Sequence, residues 1–223
     1  MSGDGRARTR CYDRFVGKAP LVAVVLLIAC ASTASAQLDS VVGVGGSVAF
    51  FAPTDPHVDT RTGFGLIGRL RRGTGLGFSL GFAWATSDVQ RDVDGADVEL
   101  GAITVRPVMA GASYARQFAR FALSAGLVGG WAFNSISQTP AQQRAYGEAI
   151  GIPDARLSVS NSWVLRPSAT LWYELDNHFG AFASIGYAIV RPTVTASGAA
   201  GSRGETVNLS ATVFSFGIAY GVF

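Results

Sequence analysis

The chain has 223 residues, with 18 Lys and Arg, 15 Asp and Glu, and two cysteines. Its formal charge of +3 belongs to residues 1–36, where Arg6, Arg8, Arg10, Arg14 and Lys18 outnumber Asp4 and Asp13; the rest holds 13 residues of each sign. That balance excludes an electrostatic nucleic-acid binder, and because Cys11 and Cys30 fall in the same leader, residues 37–223 have neither a disulfide framework nor thiolate chemistry.

The leader is arginine-rich, continues into the apolar run APLVAVVLLIAC, and ends in ASTASA. This is the pattern of a cleavable signal peptide over 1–36, cut after Ala36, with an apolar run too short to span a bilayer as a helix. LIAC, Leu27 to Cys30, offers a second processing route in which Cys30 becomes a lipidated N-terminus.

Residues 37–223 then divide into eight segments with the period of a strand. The first, VVGVGGSVAF, sets Val42, Val44, Val48 and Phe50 against Gly43, Gly45, Ser47 and Ala49. The second sets Phe64, Leu66 and Leu70 against Gly65, Arg69 and Arg71, and the third sets Leu76, Phe78, Leu80, Phe82 and Trp84 against Gly77, Ser79, Gly81, Ala83 and Ala85. In the fourth, Ile103, Val105 and Met109 share a parity opposed by Thr104 and Arg106. The fifth aligns Phe121, Leu123, Leu127, Trp131 and Phe133; the sixth aligns Trp163, Leu165, Leu171 and Tyr173 against Arg166, Ser168, Thr170 and Glu174; the seventh aligns Ile185, Tyr187 and Ile189. The eighth, ATVFSFGIAYGVF, aligns Phe214, Phe216, Ile218, Tyr220 and Val222, while Leu209, Ala211 and Val213 lie on the other parity. That switch predicts either a bulge near Val213–Phe214 or a polar-facing rim before it.

Connections alternate in length. APTDPHVDTRT, SDVQRDVDGA, NSISQTPAQQRAYGEAIGIPDAR and RPTVTASGAAGSRGE are long and polar, whereas RRGTG, ARQFA and DNHF are tight. An up-and-down antiparallel sheet whose two ends face different compartments needs this alternation.

One face of the segments is large and apolar, and the other is mostly Gly, Ala and Ser with few charges. A water-facing surface of that kind would be poorly soluble. Turning the large face to lipid and the small face to a narrow interior removes the conflict. Closure is then required, because an open sheet edge in lipid would leave a row of N–H and C=O groups unsatisfied. The expected fold is all-β: a single closed eight-stranded antiparallel up-and-down transmembrane β-barrel.

These features, together with the terminal Phe223, resemble the small eight-stranded outer-membrane β-barrel proteins of Gram-negative bacteria, similar to the OmpA membrane domain and to OmpX or OmpW. The resemblance covers residues 37–223. It implies a monomer in the outer membrane, in contact with lipid and lipopolysaccharide, with long loops outside the cell and both mature termini in the periplasm. It also implies recognition of the terminal segment, Tyr220 and Phe223, by the barrel-assembly machinery. The family pattern has an aromatic two residues before the end, where this chain has Gly221.

Parity turns Arg69, Arg71, Arg106, Arg166 and Glu174 inward, where unpaired charge is costly, so an internal Arg/Glu network that plugs the barrel is expected. An anion-selective path is the alternative. Trp84, Trp131, Trp163 and Tyr173 are placed to form interfacial girdles. The pairs Arg106-Pro107, Arg166-Pro167 and Arg191-Pro192 read as bulges or strand ends. His57, Ser87 and Asp88 suggest a lipid-modifying serine site at the outer rim, and RDVDGADVE, 91–99, a cation loop whose spacing departs from the calcium pattern. Neither is strong enough to assign. The role expected is structural or surface-interactive, with a small pore or hydrophobic-solute channel as the alternative and a lipid A-modifying enzyme third; no catalytic, cofactor or metal site is expected.

Overall fold

A computed structural model describes residues 41–222, apart from 72–73, 94–95, 153–154, 177 and 200. The signal peptide, Cys30 and Phe223 lie outside the described residues, as does the Asp94-Gly95 turn. The elements are β1 (Val41–Pro53), β2 (Arg61–Arg71), β3 (Gly75–Val93), β4 (Ala96–Phe118), β5 (Phe121–Ser137), α1 (Pro140–Ala149), β6 (Arg156–Val159), β7 (Ser162–Glu174), β8 (Phe179–Val190), β9 (Thr193–Gly198), β10 (Gly201–Thr206) and β11 (Ala211–Val222).

Eight of these strands close into a barrel in the order β1-β11-β8-β7-β5-β4-β3-β2, each antiparallel to its neighbours. The seam is a full ladder running from Val42↔Val222 to Pro53↔Ala211, so the first and last barrel strands satisfy each other's backbone groups. Large outward side chains such as Phe64, Phe78, Leu127 and Ile218 are exposed, whereas Gly43, Gly45, Ser47 and Ala49 of β1 and Ser215, Gly217, Ala219 and Gly221 of β11 turn inward.

One strand faces the opposite way from the expected one. In β4, Ile103, Val105 and Met109 point inward and are buried, while Thr104, Arg106 and Val108 take the outer face. The half of the barrel toward the long loops has an apolar interior, so the inward row there is the large one. The same fact resolves the parity switch of β11. No bulge and no polar rim forms: the ladder to β8 runs unbroken from Ala211↔Ala188 to Tyr220↔Phe179, and Leu209, Ala211 and Val213 are fully buried in that interior.

A bulge does occur in β4. Pairing passes from Val89↔Gly101 to Gln90↔Glu99, leaving Leu100 as the extra residue, and this turns Leu100 into the core. Gly101 has a φ of 115°, and a Cβ there would meet the Ser137 carbonyl oxygen at 2.5 Å, so the site requires glycine.

The long connections carry structure of their own. SDVQRDVDGA is not a loop: β3 and β4 continue through it as a hairpin. β9 and β10 form a second hairpin that pairs with β6 in a three-stranded sheet beside the barrel's long-loop end. Helix α1 starts on a capping box, Thr139 Oγ1 accepting from the Gln142 N–H while the Gln142 side chain accepts from the Thr139 N–H, with Pro140 at the first helical position. The charged partners Arg91 and Glu205 join the β3 extension to β10.

Two Arg-Pro pairs interrupt ladders in mid-strand without shifting register. β3–β4 pairing skips from Phe82↔Val108 to Ala85↔Val105 around Pro107, and β7–β8 pairing skips from Leu165↔Ile189 to Ser168↔Gly186 around Pro167. The missing proline N–H removes a ladder bond but leaves the strand count unchanged. Arg191-Pro192 sits between β8 and β9.

Candidate functional site

The chemistry that alternation turns inward lies in two zones. Toward the long loops, Phe51, Ile103, Val105, Met109, Val164, Val190, Leu209 and Val213 form a packed apolar core capped by Val58, Leu100, Val194 and Val207. It encloses a cavity of about 30 Å³ reached by two cations, Arg61 and Arg166. Toward the short turns, the inward row becomes hydroxylic. Ser47, Ser79, Ser113, Ser124, Thr170, Ser184 and Ser215 surround a second cavity of about 90 Å³, with Arg166 and Arg69 lining it. Thr170 and Ser184 hydroxyls lie 3.1 Å apart, and Ser124 Oγ donates to the Thr170 carbonyl. A third space, about 450 Å³, is the short-turn mouth, lined by Arg69, Gln117, Trp172, Glu174 and His178 among others.

Each predicted lumen charge has a distinct fate. Arg69 lies across the Trp172 ring, its Cζ 4.9 Å from the centroid, and Trp172 in turn packs tilted against Phe182 at 4.7 Å. Arg166 stands between the two inner cavities, and its buried Nε has no hydrogen-bond partner. Glu174 sits at the mouth and accepts from Gln117 Nε2 at 3.1 Å. Arg71 falls within β2, but its side chain is outside the described residues.

Arg106 is a correction. It faces outward, its Cζ 5.5 Å from the Trp84 ring and its Nη2 donating to Ser135 Oγ at 3.0 Å. The inversion of β4 puts it there, and at the long-loop end an outward guanidinium can stack on the rim aromatic and reach polar groups.

Arg61 is absent from the charges that the strand pattern marks. It is 6% exposed, donates from Nη2 to the Leu209 carbonyl at 3.5 Å, and lies over the Phe51 ring at 5.3 Å. Its Nε and Nη1 have no partner. It reads as part of the polar loop APTDPHVDTRT, but counting back by twos from Arg69 through Gly65 and Gly63 reaches it on the inward parity.

With this geometry the chain can be compared with known structures. No family model and no curated protein sequence matches it. Solved structures do. The outer membrane protein OprG from Pseudomonas aeruginosa superimposes with a TM-score of 0.70 at 17% identity, over 83% of this chain and 97% of OprG. The outer membrane protein AlkL, solved in lipid bilayers, gives 0.54 at 13% identity over 100% of this chain and 97% of that one. Neisserial surface protein A gives 0.50 at 11% identity, over 82% and 96%. The fold is that of the small eight-stranded outer-membrane β-barrels.

On a barrel of this fold the exposed aromatics occupy both ends of the wall. Trp131 and Trp163 meet edge to face at 5.0 Å, Trp163 being 74% exposed, and Trp84 pairs with Phe64 at 5.7 Å, all toward the long loops. At the other end Phe121 packs on Tyr173 at 4.8 Å, and Tyr220 contacts both His178 and Phe179.

The suggested serine site does not assemble. Ser87 is buried and inward, with Oγ donating to the Asp59 carbonyl at 2.8 Å, whereas Asp88, the next residue, is exposed. The His57 ring contacts Asp55 Oδ1 at 3.1 Å, and the His57 carbonyl accepts from the Gln90 N–H. An imidazole that should receive the serine proton must lie within hydrogen-bond reach of it. Among the described residues, no group of three or more His, Cys, Asp or Glu is placed to hold a metal ion.

In the short turn between β7 and β8, Asp176 Oδ1 accepts from the His178 and Phe179 N–H groups, each at 2.7 Å. These bonds, His178 first, hold its carboxyl below the ordinary aspartate value.

Proposed function

We propose that this protein resides in the outer membrane of a Gram-negative envelope as a closed, monomeric barrel, with the long loops outside the cell and the short turns and mature termini in the periplasm. Its work is structural and surface-interactive: the wall holds lipid and lipopolysaccharide, and the loops present a contact surface. The observation that carries this reading is the packed apolar core beneath the long loops, which leaves a cavity of only about 30 Å³ at that level of the barrel. A solute path needs a continuous lumen, and an eight-stranded barrel is narrow enough for side chains to fill. Trp84, Trp131, Trp163 and Tyr173 would then anchor the wall at the two interfaces, and Tyr220 with Phe223 would serve recognition by the barrel-assembly machinery.

Purified protein in planar bilayers tests it. We expect no steady current steps; channels of uniform size would overturn the filled-interior reading.

A second reading rests on a specific observation. The upper interior is lined by Ile103, Val105, Leu209 and Val213 rather than by polar groups, which suits an apolar solute better than an ion. Entry of a fluorescent hydrocarbon into barrel-containing liposomes, faster than into empty ones, would favour it. A lipid A-modifying enzyme is the third class, and the engagement of Ser87 Oγ with the Asp59 carbonyl and of the His57 ring with Asp55 counts against it; lipid A mass spectra unchanged by His57→Ala would agree.

A further inference from the structure

We propose that the interior of the barrel binds one small monovalent anion, of halide or formate size, between the guanidinium groups of Arg61 and Arg166. The inference goes beyond the surface role and is separable from it, since a barrel that conducts nothing can still hold an ion.

Three observations converge. First, both cations line the same small apolar cavity, and its walls contain no carboxylate. The ion pair of Arg91 with Glu205 and the contact of His57 with Asp55 both lie outside the interior. Burying a cation without a counter-charge is unfavourable, so a barrel that retains two here gains by neutralising them.

Second, the site offers donors in excess. Arg61 is almost wholly buried, yet Nε and Nη1 have no partner, and Arg166 Nε is likewise buried and unpartnered. A water molecule would satisfy some of these N–H groups through its oxygen, but its own hydrogens would then face Ala85, Val105, Leu209 and Val213. Water in a buried site needs about 2–4 polar partners of both kinds. An anion only accepts, so it matches a site with three unpartnered buried nitrogens, apolar walls, and a Leu209 carbonyl that already receives Arg61 Nη2.

Third, the volume selects size. The cavity of about 30 Å³ is a few times the roughly 10–15 Å³ that one water needs, which gives room for a halide or a one-carbon carboxylate. The tail of an amphiphile would have to displace the core around Leu209 and Val213, which are fully buried.

The test uses the folded barrel in non-ionic micelles, unfolded by urea and followed by tryptophan fluorescence, with chloride exchanged for gluconate at fixed ionic strength. A ligand at tenfold excess over its Kd should raise the folding constant about elevenfold. We therefore expect a saturable rise in the urea midpoint with chloride, bromide and formate, and none with gluconate. In Arg61→Met the anion dependence should vanish, and in gluconate that variant should be at least as stable as the parent, because an unpaired cation has gone. If Arg61→Met gives no folded band in a heat-modifiability gel, ³⁵Cl line broadening by the parent protein, reversed by formate, replaces it. Equal midpoints in chloride and gluconate, an anion response surviving Arg61→Met, or absent ³⁵Cl broadening would each overturn the proposal. Stabilisation by decanoate well beyond formate would overturn the small-anion assignment and point to an amphiphile headgroup.

Discussion

Gly217 and Gly46 lie beside each other at the seam that closes the barrel, in the paired rows Ser47↔Gly217 and Gly46↔Ile218, and they should respond oppositely to the same methyl group. Gly217 points inward, where an added Cβ would come within 2.1 Å of the Gly46 carbonyl oxygen and 2.6 Å of Phe182 Cζ. Neither neighbour can withdraw cheaply: one is ladder backbone, and the other is a buried ring packed on Trp172 at 4.7 Å. Overpacking of this kind costs about 1–3 kcal/mol. A Cβ at Gly46 meets nothing within 4 Å, so Gly46→Ala should be neutral or stabilise by up to about 1 kcal/mol through the unfolded chain. With a urea slope of about 1–3 kcal/mol per molar, Gly217→Ala should lower the midpoint by roughly 1 M, and Gly46→Ala should leave it in place or raise it slightly. The assay is urea unfolding in micelles read by fluorescence, with heat-modifiability gels scoring closure. Equal losses for the two variants, or no loss for Gly217→Ala, would refute the assignment of inward and outward faces at this seam.

Separate parts of the molecule give further expectations. Leu209→Ala should cost about 2–5 kcal/mol in the same assay, because Leu209 is fully buried in the core beneath the long loops. A double-mutant cycle on Trp131 and Trp163, edge to face at 5.0 Å, should return a coupling of about 0.5–1.5 kcal/mol. Ala119→Gly should stabilise by roughly 1 kcal/mol, since Ala119 has a φ of 50° in the β4–β5 turn, a conformation that disfavours a Cβ. Asp176 has a carboxyl held below its ordinary value by the His178 and Phe179 N–H groups. Its contribution to stability should therefore be complete above the unfolded value and be lost as pH falls through the lower folded one. Asp176→Asn should flatten that acid limb in unfolding curves taken between about pH 5 and pH 2.

The strands themselves are legible because period 2 leaves a mark in one dimension: Leu76, Phe78 and Leu80 alternating with Gly77 and Ser79 imply two faces wherever the strand lies. Closure is legible through a physical requirement, since lipid forbids an open edge, and the β1–β11 ladder meets it. Alternation has no sign, however. The row Ile103, Val105 and Met109 looks the same whether it meets lipid or an apolar interior, and only the neighbouring strands, which bring Val164, Val190, Leu209 and Val213 to the same level, decide that it points inward. Arg106 changes sides with it. Arg61 is hidden in the sequence because its register depends on β2 beginning eight residues before Arg69, inside a stretch whose Pro and Asp content marks a loop.

Local pattern, then, determined the eight barrel strands, the tight turns between them, and that one face of each strand differs from the other, because these depend on side chains a few residues apart; it missed the strands and helix within the long connections. Tertiary structure alone decided which face is inside, that the interior has an apolar upper half and a hydroxylic lower half, and that Arg61 and Arg166 share a cavity. Those depend on residues far apart in the chain, 148 positions in the Arg61 contact with the Leu209 carbonyl, and the energy of a buried charge is set by what the rest of the barrel places around it.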